Sequence, residues 1–329
     1  ASSGLAAVLL VSEGPLTDYW SAGRELLGPG TLARPGTITP DRAGGGPPLF
    51  LVTPALAERL IGRRLGAARM PATGLGTFRY GLQAAIEPVD AWNVVSVVPG
   101  SDPARAGSFV ALGAHYDHVG IGAPVRGDSI YNGADDDGSG TAALLEIAER
   151  YASQPQAGRP ARSLLFVWHT GEEKGLLGSE AFTERATVPR DSIIAQLNVD
   201  MIGRNAPDSL LMIGSRRRST AFGALIESVN ARQPRPFRFD YGWDAPEHPE
   251  HLYCRSDHYN YARFGIPVAF FTSGLHGDYH EPSDEPGTLD YAKLARVATL
   301  IGDVAGELAA LPSAPARDRP LPPIGEPCS

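Results

Sequence analysis

Histidine and carboxylate side chains recur at five places in this sequence, and their types match the ligands that zinc takes in proteins. The five places are His115 with Asp117, the run Asp135-Asp136-Asp137, the pair Glu172-Glu173, Asp200, and His280. Imidazole and carboxylate groups bind Zn²⁺, and a carboxylate beside a metal can also act as a general base. Alone, each place also fits a core histidine, a solvated loop or a turn cap. Their combined chemistry therefore depends on whether the fold brings them together.

Spacing gives some of these residues distinct tasks. His115 and Asp117 stand two apart on extended chain, so their side chains point the same way and the carboxylate can orient the imidazole. Adjacent Glu172 and Glu173 cannot easily face one metal together, so one can bind while the other acts as base. The acidic run also fits the spacing of a calcium-binding loop. That interpretation fails because helix breakers, not a helix, precede the run.

Predicted secondary structure places these residues at one edge of a sheet. Four of the five places follow predicted strands, namely Phe109–His115, Ser163–Trp168, Ile193–Val199 and Ile266–Thr272, and the acidic run opens the predicted helix Ser139–Tyr151. In doubly wound sheets, ligands bind beyond the carboxyl ends of the strands. We therefore expect the five places to converge on one crevice.

From about residue 91 to 311, apolar strands alternate with amphipathic helices. Further strands are predicted at Trp92–Val98 and Leu210–Ile213, and further helices at Leu177–Arg185, Ala221–Arg232 and Leu289–Leu311. This alternation predicts an α/β fold, a mostly parallel doubly wound sheet with helices on both faces.

Two other segments differ in composition. Residues 1–90 combine the strand-like Leu5–Val11 and Leu49–Val52 and a short helix, Pro54–Leu60, with Gly/Pro-rich chain, which predicts a smaller β-rich module. Residues 312–329 are crowded with proline and predict an extended tail. The sequence starts at Ala1 without a signal peptide, so we expect the natural chain to begin upstream.

Composition excludes several classes of protein. The formal net charge of -8 disfavours nucleic-acid or anionic-membrane partners, which reward positive charge. No apolar run approaches the ~20 residues of a membrane span. The two cysteines, Cys254 and Cys328, are too few for a disulfide framework, although one bridge between them is an open alternative.

The order and spacing of the motifs resemble a known enzyme family. The matching segments are His115-x-Asp117, Gly133–Gly140, Trp168–Ser179, Asn198–Gly203 and Tyr279-His280. Together they resemble the MH-clan double-zinc aminopeptidases, which include secreted bacterial leucyl aminopeptidases and are related to glutamate carboxypeptidase II. Residues 1–90 resemble the protease-associated domain that many members carry.

The resemblance implies a complete site. It implies two Zn²⁺ ions per chain bridged by Asp136, one held by His115 and Asp200 and the other by Glu173 and His280. It assigns Glu172 as general base, acting on a metal-bridging water, and Asp117 as the partner of His115. Tyr279 is expected to stabilise the oxyanion, and a cis peptide is expected at Asp136–Asp137.

The implied activity is removal of residues from peptide or protein N-termini, by a secreted or periplasmic bacterial enzyme. Three alternatives stay open. A carboxypeptidase of the same fold would need an arginine clamp, for which Arg216-Arg217-Arg218 is the candidate. A glutaminyl-cyclase-like enzyme would use one zinc, and a non-catalytic binding protein would need none.

Overall fold

The structure, a computed structural model, describes residues 8–11, 49–61, 64 and 88–321. The chain divides into two units, residues 1–89 and 90–329. In the first unit, strand β1 (Val8–Val11) pairs in parallel with β2 (Leu49–Val52), and helix α1 spans Pro54–Ile61. Most of the predicted protease-associated module lies outside the described residues, as do Cys328 and the tail beyond residue 321.

The second unit contains the predicted alternation of strands and helices. Its strands are β3 (Val94–Val98), β4 (Phe109–His115), β5 (Gly120–Val125), β6 (Asp128–Tyr131), β7 (Ser163–His169), β8 (Ile193–Val199), β9 (Ser209–Ile213), β10 (Arg238–Asp240) and β11 (Val268–Thr272). Its helices are α2 (Gly140–Ala152), α3 (Leu177–Glu184), α4 (Thr220–Ala231), α5 (His258–Ala262) and α6 (Tyr291–Ala310). A π-helical turn, Ala134–Ser139, leads directly into α2.

Seven strands form one sheet in the order β10-β9-β11-β8-β4-β7-β3. The four central strands β11, β8, β4 and β7 run parallel, whereas β3 is antiparallel to β7 and β9 is antiparallel to β11. The edge strand β10 runs parallel to β9. This arrangement confirms the predicted α/β class with a mostly parallel sheet. The parallel centre also brings four carboxyl ends to the same edge.

Continuous apolar sequence forms the central strands because both faces of the sheet are covered. Every residue of β4, β7 and β8 is buried. Alternate residues of β4 serve different cores: Val110 and Leu112 pack in the cluster that contains α2, α4 and α6, whereas Ala111 packs in the cluster of α3 and α5. The sheet is thereby held between two helical layers.

Four described strands and helices were not predicted: β5, β6, β10 and α5. The hairpin β5–β6 is mostly exposed and contains glycine and proline, so it lacks the apolar signal of a buried strand. Strand β10 has three residues and helix α5 has five, too few for a periodic pattern. The described part of the Pro-rich tail forms neither helix nor strand, but Asp318 accepts a hydrogen bond from the amide of Thr220. This contact ties the described part of the tail to the start of α4.

Candidate metal centre

The predicted residues converge beyond the carboxyl ends of the parallel strands. His115 is the last residue of β4, Asp200 follows β8 directly, and Glu172 and His280 lie in loops after β7 and β11. The donor atoms of all five predicted metal ligands lie within 4 Å of at least one other ligand. The sheet therefore assembles in space what the sequence spreads over 166 positions, from 115 to 280.

The first group of donors surrounds His115. Its Nε2 lies 3.2 Å from Asp136 Oδ1 and 3.7 Å from Asp200 Oδ1. The side chains of all three residues are at least nine-tenths buried. One imidazole and two carboxylates thus face a shared point.

The second group of donors surrounds Glu173. His280 Nε2 lies 3.0 Å from Glu173 Oε2 and 3.3 Å from Asp136 Oδ2. Asp136 thus belongs to both groups, and its two oxygens face different histidines. This division of one carboxylate between two donor groups is the geometry that a bridging ligand requires.

The donor atoms fit a pair of zinc sites. Tetrahedral ligands at zinc bond lengths of about 2.0–2.1 Å are about 3.3 Å apart. The four distances given above, 3.0 to 3.7 Å, lie around that value. Asp200 Oδ1, Glu173 Oε1 and His280 Nε2 are also buried without a hydrogen-bond partner among the described residues. Buried polar atoms rarely stay unpaired, so these atoms are suited to bind a cation.

Electrostatics in this cluster favours positive charge. Burial lowers the pKa of His115, but the carboxylates of Glu172 and Asp136 outweigh burial and raise that pKa well above its ordinary value. Burial likewise lowers the pKa of His280, and Asp136 and Glu173 raise it to about 9. Burial raises the pKa of Asp200. In the protein alone, protonated imidazoles therefore balance the negative charge of the carboxylates. Divalent cations can supply that positive charge instead.

The carboxylate of Asp136 is positioned by the main chain around it. The peptide bond Asp136–Asp137 is cis, which confirms the prediction. The amides of Asp135 and Asp136 both donate to the carboxylate of Asp284 at 3.0–3.1 Å. The chain before the bond turns at Gly133 in the left-handed region (φ 63°). Residues 133–137 are thereby held as a rigid support for the Asp136 carboxylate.

Asp137 lies close to His115 and Asp200, but its carboxylate binds main-chain amides. Its carboxylate accepts the main-chain amides of His115, Gly140 and Met201 at 2.9–3.3 Å. Those three amides belong to β4, the start of α2 and the loop after β8. Asp137 therefore ties together the elements that carry the site.

The expected role of Asp117 needs correction. Its carboxylate Oδ1 is 3.9 Å from His115 Nδ1, and the ring nitrogen instead contacts the Asp117 carbonyl oxygen at 2.9 Å. The carboxylate accepts the main-chain amides of Glu172 (3.2 Å) and Glu173 (3.4 Å). Asp117 thus positions both glutamates through their backbone.

Glu172 lies between the donor groups and a pocket. Its Oε2 is 4.0 Å from His115 Nε2, and its side chain is 10% exposed. Burial raises the pKa of Glu172 well above its ordinary value, although the nearby His115 opposes this shift. A raised pKa makes this carboxylate a stronger proton acceptor, as a general base requires.

A pocket lies beside the donors. Asp136, Glu172 and Asp200 line its floor, and Met201, Leu252, Phe270 and Leu275 supply an apolar wall.

Tyr279 and Arg255 stand at the same pocket. Arg255 Nη2 donates to the Tyr279 hydroxyl at 3.3 Å, and the tyrosine ring stacks on His280 with 3.9 Å between centroids. Burial raises the pKa of Tyr279, so its hydroxyl keeps its proton.

Two residues of the site escaped the sequence reasoning. His118 Nδ1 lies 2.8 Å from Glu173 Oε1, so a second histidine joins the second donor group. Its place directly after His115-x-Asp117 was the available signal. Ser256 Oγ donates to Asp200 Oδ2 at 2.7 Å, and a lone serine gives no such signal.

The arginine candidates for a carboxylate clamp are engaged elsewhere. Arg216 pairs with Glu227, and Arg217 pairs with Asp244 at 2.7 Å. Arg218 donates to the Arg319 carbonyl. None of the three lines the pocket at the described site. The three arginines predicted as a carboxylate clamp therefore lie away from this pocket, and the arginine that lines it is Arg255.

Comparison with known proteins adds a family. Residues 93–305 match the family model described as peptidase family M28. A probable leucine aminopeptidase of Arthroderma benhamiae is 32% identical over 213 residues, which cover 63% of this chain and 56% of that protein. Leucine aminopeptidase 1 of Arthroderma gypseum is 30% identical, over 72% of this chain and 64% of that protein. The chain thus spans little more than half the length of these curated relatives.

Solved structures share the fold. An aminopeptidase from Aneurinibacillus sp. strain AM-1 superposes with a TM-score of 0.51 and 23% identity, over 70% of this chain and 50% of that one. The zinc aminopeptidase BSAP from Bacillus subtilis gives a TM-score of 0.51 and 21% identity, over 65% of this chain and 49% of that one.

Within the described ranges, no helix has the length and apolar character that crossing a membrane requires.

Proposed function

The chain belongs to peptidase family M28, and on that premise we propose that it is a zinc-dependent aminopeptidase with two ions per chain. The observation that carries the proposal is the division of Asp136, whose Oδ1 faces His115 and whose Oδ2 faces His280. His115 and Asp200 would hold one ion, and Glu173 and His280 the other. The names of the similar fungal proteins support the same activity.

Zinc in this centre would supply Lewis-acid chemistry, polarising the scissile carbonyl and making water more acidic. The protein supplies the proton transfers. Glu172 Oε2 stands at the edge of the first donor group, where it can accept the proton of an attacking water and then deliver it to the leaving amine. Its raised pKa favours the first of these steps, because a more basic carboxylate takes a proton from water more readily.

Tyr279 is the proposed donor to the oxyanion. An arginine can only donate hydrogen bonds, so in its contact with Arg255 the phenolic oxygen must accept. The phenolic hydrogen is thereby left to point elsewhere. Because Tyr279 lines the pocket beside Asp136 and Glu172, that hydrogen is available to the developing oxyanion.

The pocket supports an apolar residue at the substrate N-terminus. The apolar wall of the pocket includes Met201, Leu252 and Phe270, each of which is at most 5% exposed. Burying a leucine-sized side chain against such a wall contributes about 1.5–3 kcal/mol. The carboxylates at the floor favour a substrate amino group over a blocked N-terminus.

The test is mass spectrometry of a free peptide incubated with zinc-loaded protein. The peptide carries leucine at its N-terminus, and matched peptides carry N-acetyl-leucine or N-terminal aspartate. We expect zinc-dependent, stepwise loss from the free amino end, slower release of aspartate, and no cleavage of the acetylated peptide. Loss from the carboxyl end, or equal cleavage of the acetylated peptide, would refute the aminopeptidase assignment.

A secreted or periplasmic location and a protease-associated module in residues 1–90 are further proposals. They rest on the family resemblance of the sequence motifs.

A further inference from the structure

We propose that His118 is an additional ligand of the second metal, the one assigned to Glu173 and His280. The inference rests on the proposed function and adds a sixth metal-binding side chain to the five predicted from sequence. His118 lies in the loop between β4 and β5, and its side chain is 7% exposed.

His118 and Glu173 are close enough to bind the same metal ion. Its Nδ1 lies 2.8 Å from Glu173 Oε1 and 3.9 Å from Asp136 Oδ2. Neither ring nitrogen of His118, nor Glu173 Oε1, has a hydrogen-bond partner with acceptable geometry among the described residues. Buried polar atoms rarely stay unpaired, so these atoms are suited to bind a cation that lies near both side chains.

The local chain is shaped to admit the ring. Gly133 lies against His118, and a Cβ at position 133 would overlap both the imidazole and the Asp136 carbonyl oxygen. The His118 ring also meets the His280 ring edge to face, with 5.6 Å between centroids. Both imidazoles are thereby held on the same side of Glu173.

The extra imidazole makes the two metals unequal. The first ion would have three protein ligands, His115, Asp136 and Asp200. The second would have four, Asp136, Glu173, His280 and His118. Zinc sites with four protein ligands are closed and bind tightly, whereas catalytic sites keep a position open. We therefore infer that the second ion is retained more strongly and that the first exchanges more easily.

The experiment is a Zn²⁺ titration against a chromophoric chelator, with the wild type, His118→Asn and the control His169→Asn. His169 is a fully buried histidine that contacts Tyr261 outside the donor groups. We expect His118→Asn to weaken one ion by more than the ~10–100-fold that loss of an outer-shell partner costs, and to leave the other unchanged. His169→Asn removes a neighbour of His115 on the adjacent strand but no proposed ligand, so any loss of affinity should stay below that ~10–100-fold range.

A second variant reports ligation directly and does not depend on stability. In His118→Cys, a thiolate bound to Co²⁺ gives a ligand-to-metal charge-transfer band in the near ultraviolet, and the wild type, which already contains Cys254 and Cys328, should lack it. His169→Cys should lack the band as well. Observing the band only in His118→Cys supports the inference.

Failure of the inference can be told from failure of the proposed function. If the wild type binds two ions, His118→Asn binds both unchanged and His118→Cys gives no band, His118 is not a ligand and the dinuclear centre still stands. If the wild type binds fewer than two ions, both proposals fall together.

Discussion

Glu172 can be separated from the metal ligands by a conservative change. Glu172→Gln keeps the volume of the side chain but cannot accept a proton, so we expect both ions to stay bound while kcat falls. General acid–base catalysis contributes about 10²–10⁴-fold, and the loss should be of that order. The measurement is kcat on a leucyl peptide together with metal content by mass spectrometry. Glu149→Gln, on the exposed face of α2, is the matched control. Near-normal turnover with two ions bound would remove Glu172 from the mechanism.

Substitution of the neighbouring residues Asp136 and Asp137 should affect different properties, metal affinity for Asp136 and stability for Asp137. Asp136→Ala removes an oxygen from both donor groups, so the affinity for both ions should fall by more than about 10–100-fold. Asp137→Ala leaves three buried amides without their acceptor, which should lower the free energy of unfolding by at least about 1–3 kcal/mol. Metal titration and thermal unfolding of both variants make the comparison. Equal loss of metal in the two would show that Asp137 is also a ligand.

The sequence identified five candidate ligands that the structure brings together, because each has a ligand chemistry and follows a recognisable strand or motif. The sequence also placed Asp117 next to the site, but it did not predict which groups Asp117 contacts. Whether His115 meets the carbonyl or the carboxylate of Asp117 depends on the path of the chain after β4. His118 was missed because nothing in the sequence shows which way a loop side chain points. Asp284, 148 positions from Asp136, holds the bridging loop through a contact that no local pattern encodes.

At the scale of elements, the junction of β8 with α2 has no room for a larger side chain at Gly140. Gly140 is the first residue of α2, and a Cβ there would overlap the Val199 carbonyl oxygen and the Asp137 carboxylate. Gly140→Ala should therefore lower the free energy of unfolding by about 1–3 kcal/mol or more, as overpacking does. It should also weaken metal binding, because Asp137 and Asp200 would be displaced.

The control for this prediction is Gly158→Ala, where an added Cβ meets nothing within 4 Å among the described neighbours. Its effect should stay within about 0.5 kcal/mol. Thermal unfolding of the two variants gives the comparison. If Gly140→Ala is as stable as Gly158→Ala, the close approach of α2 to β8 does not exist in solution.

Element prediction succeeded where burial was continuous and failed where it was not. Strands β4 and β8 were predicted with their observed bounds because all their residues are apolar or buried. The exposed hairpin β5–β6 carries no such signal. The order of the seven strands could not be predicted, because β9 pairs with β11 across 55 or more positions of chain and antiparallel to the sheet centre.

For the whole molecule, metal binding should be part of the folding free energy. Without cations, the carboxylates of Asp136, Glu172, Glu173 and Asp200 are gathered in one buried place, and binding to the folded state alone stabilises it. At 100 times the dissociation constant each ion contributes about 2.7 kcal/mol. Treatment with a chelator should therefore lower the melting temperature, and added Zn²⁺ should restore it. An unchanged melting temperature would mean that these residues do not bind metal in the folded protein.

The stabilisation by metal should grow with pH. In the metal-free protein the pKa of His280 is about 9, above its unfolded value, so its contribution is complete below about pH 6.5 and is lost as the pH rises through 9. Burial raises the pKa of Asp257 to about 7, and this group also loses its favourable protonated form as the pH rises towards and past neutrality. Metal binding has the opposite slope, because the ions need neutral imidazoles, and affinity should rise about tenfold per pH unit for each proton released. Melting curves with chelator and with Zn²⁺ should therefore diverge between pH 6.5 and 9. Parallel curves would show that His115 and His280 release no protons to a metal, and the assignment of both histidines as ligands would then fail.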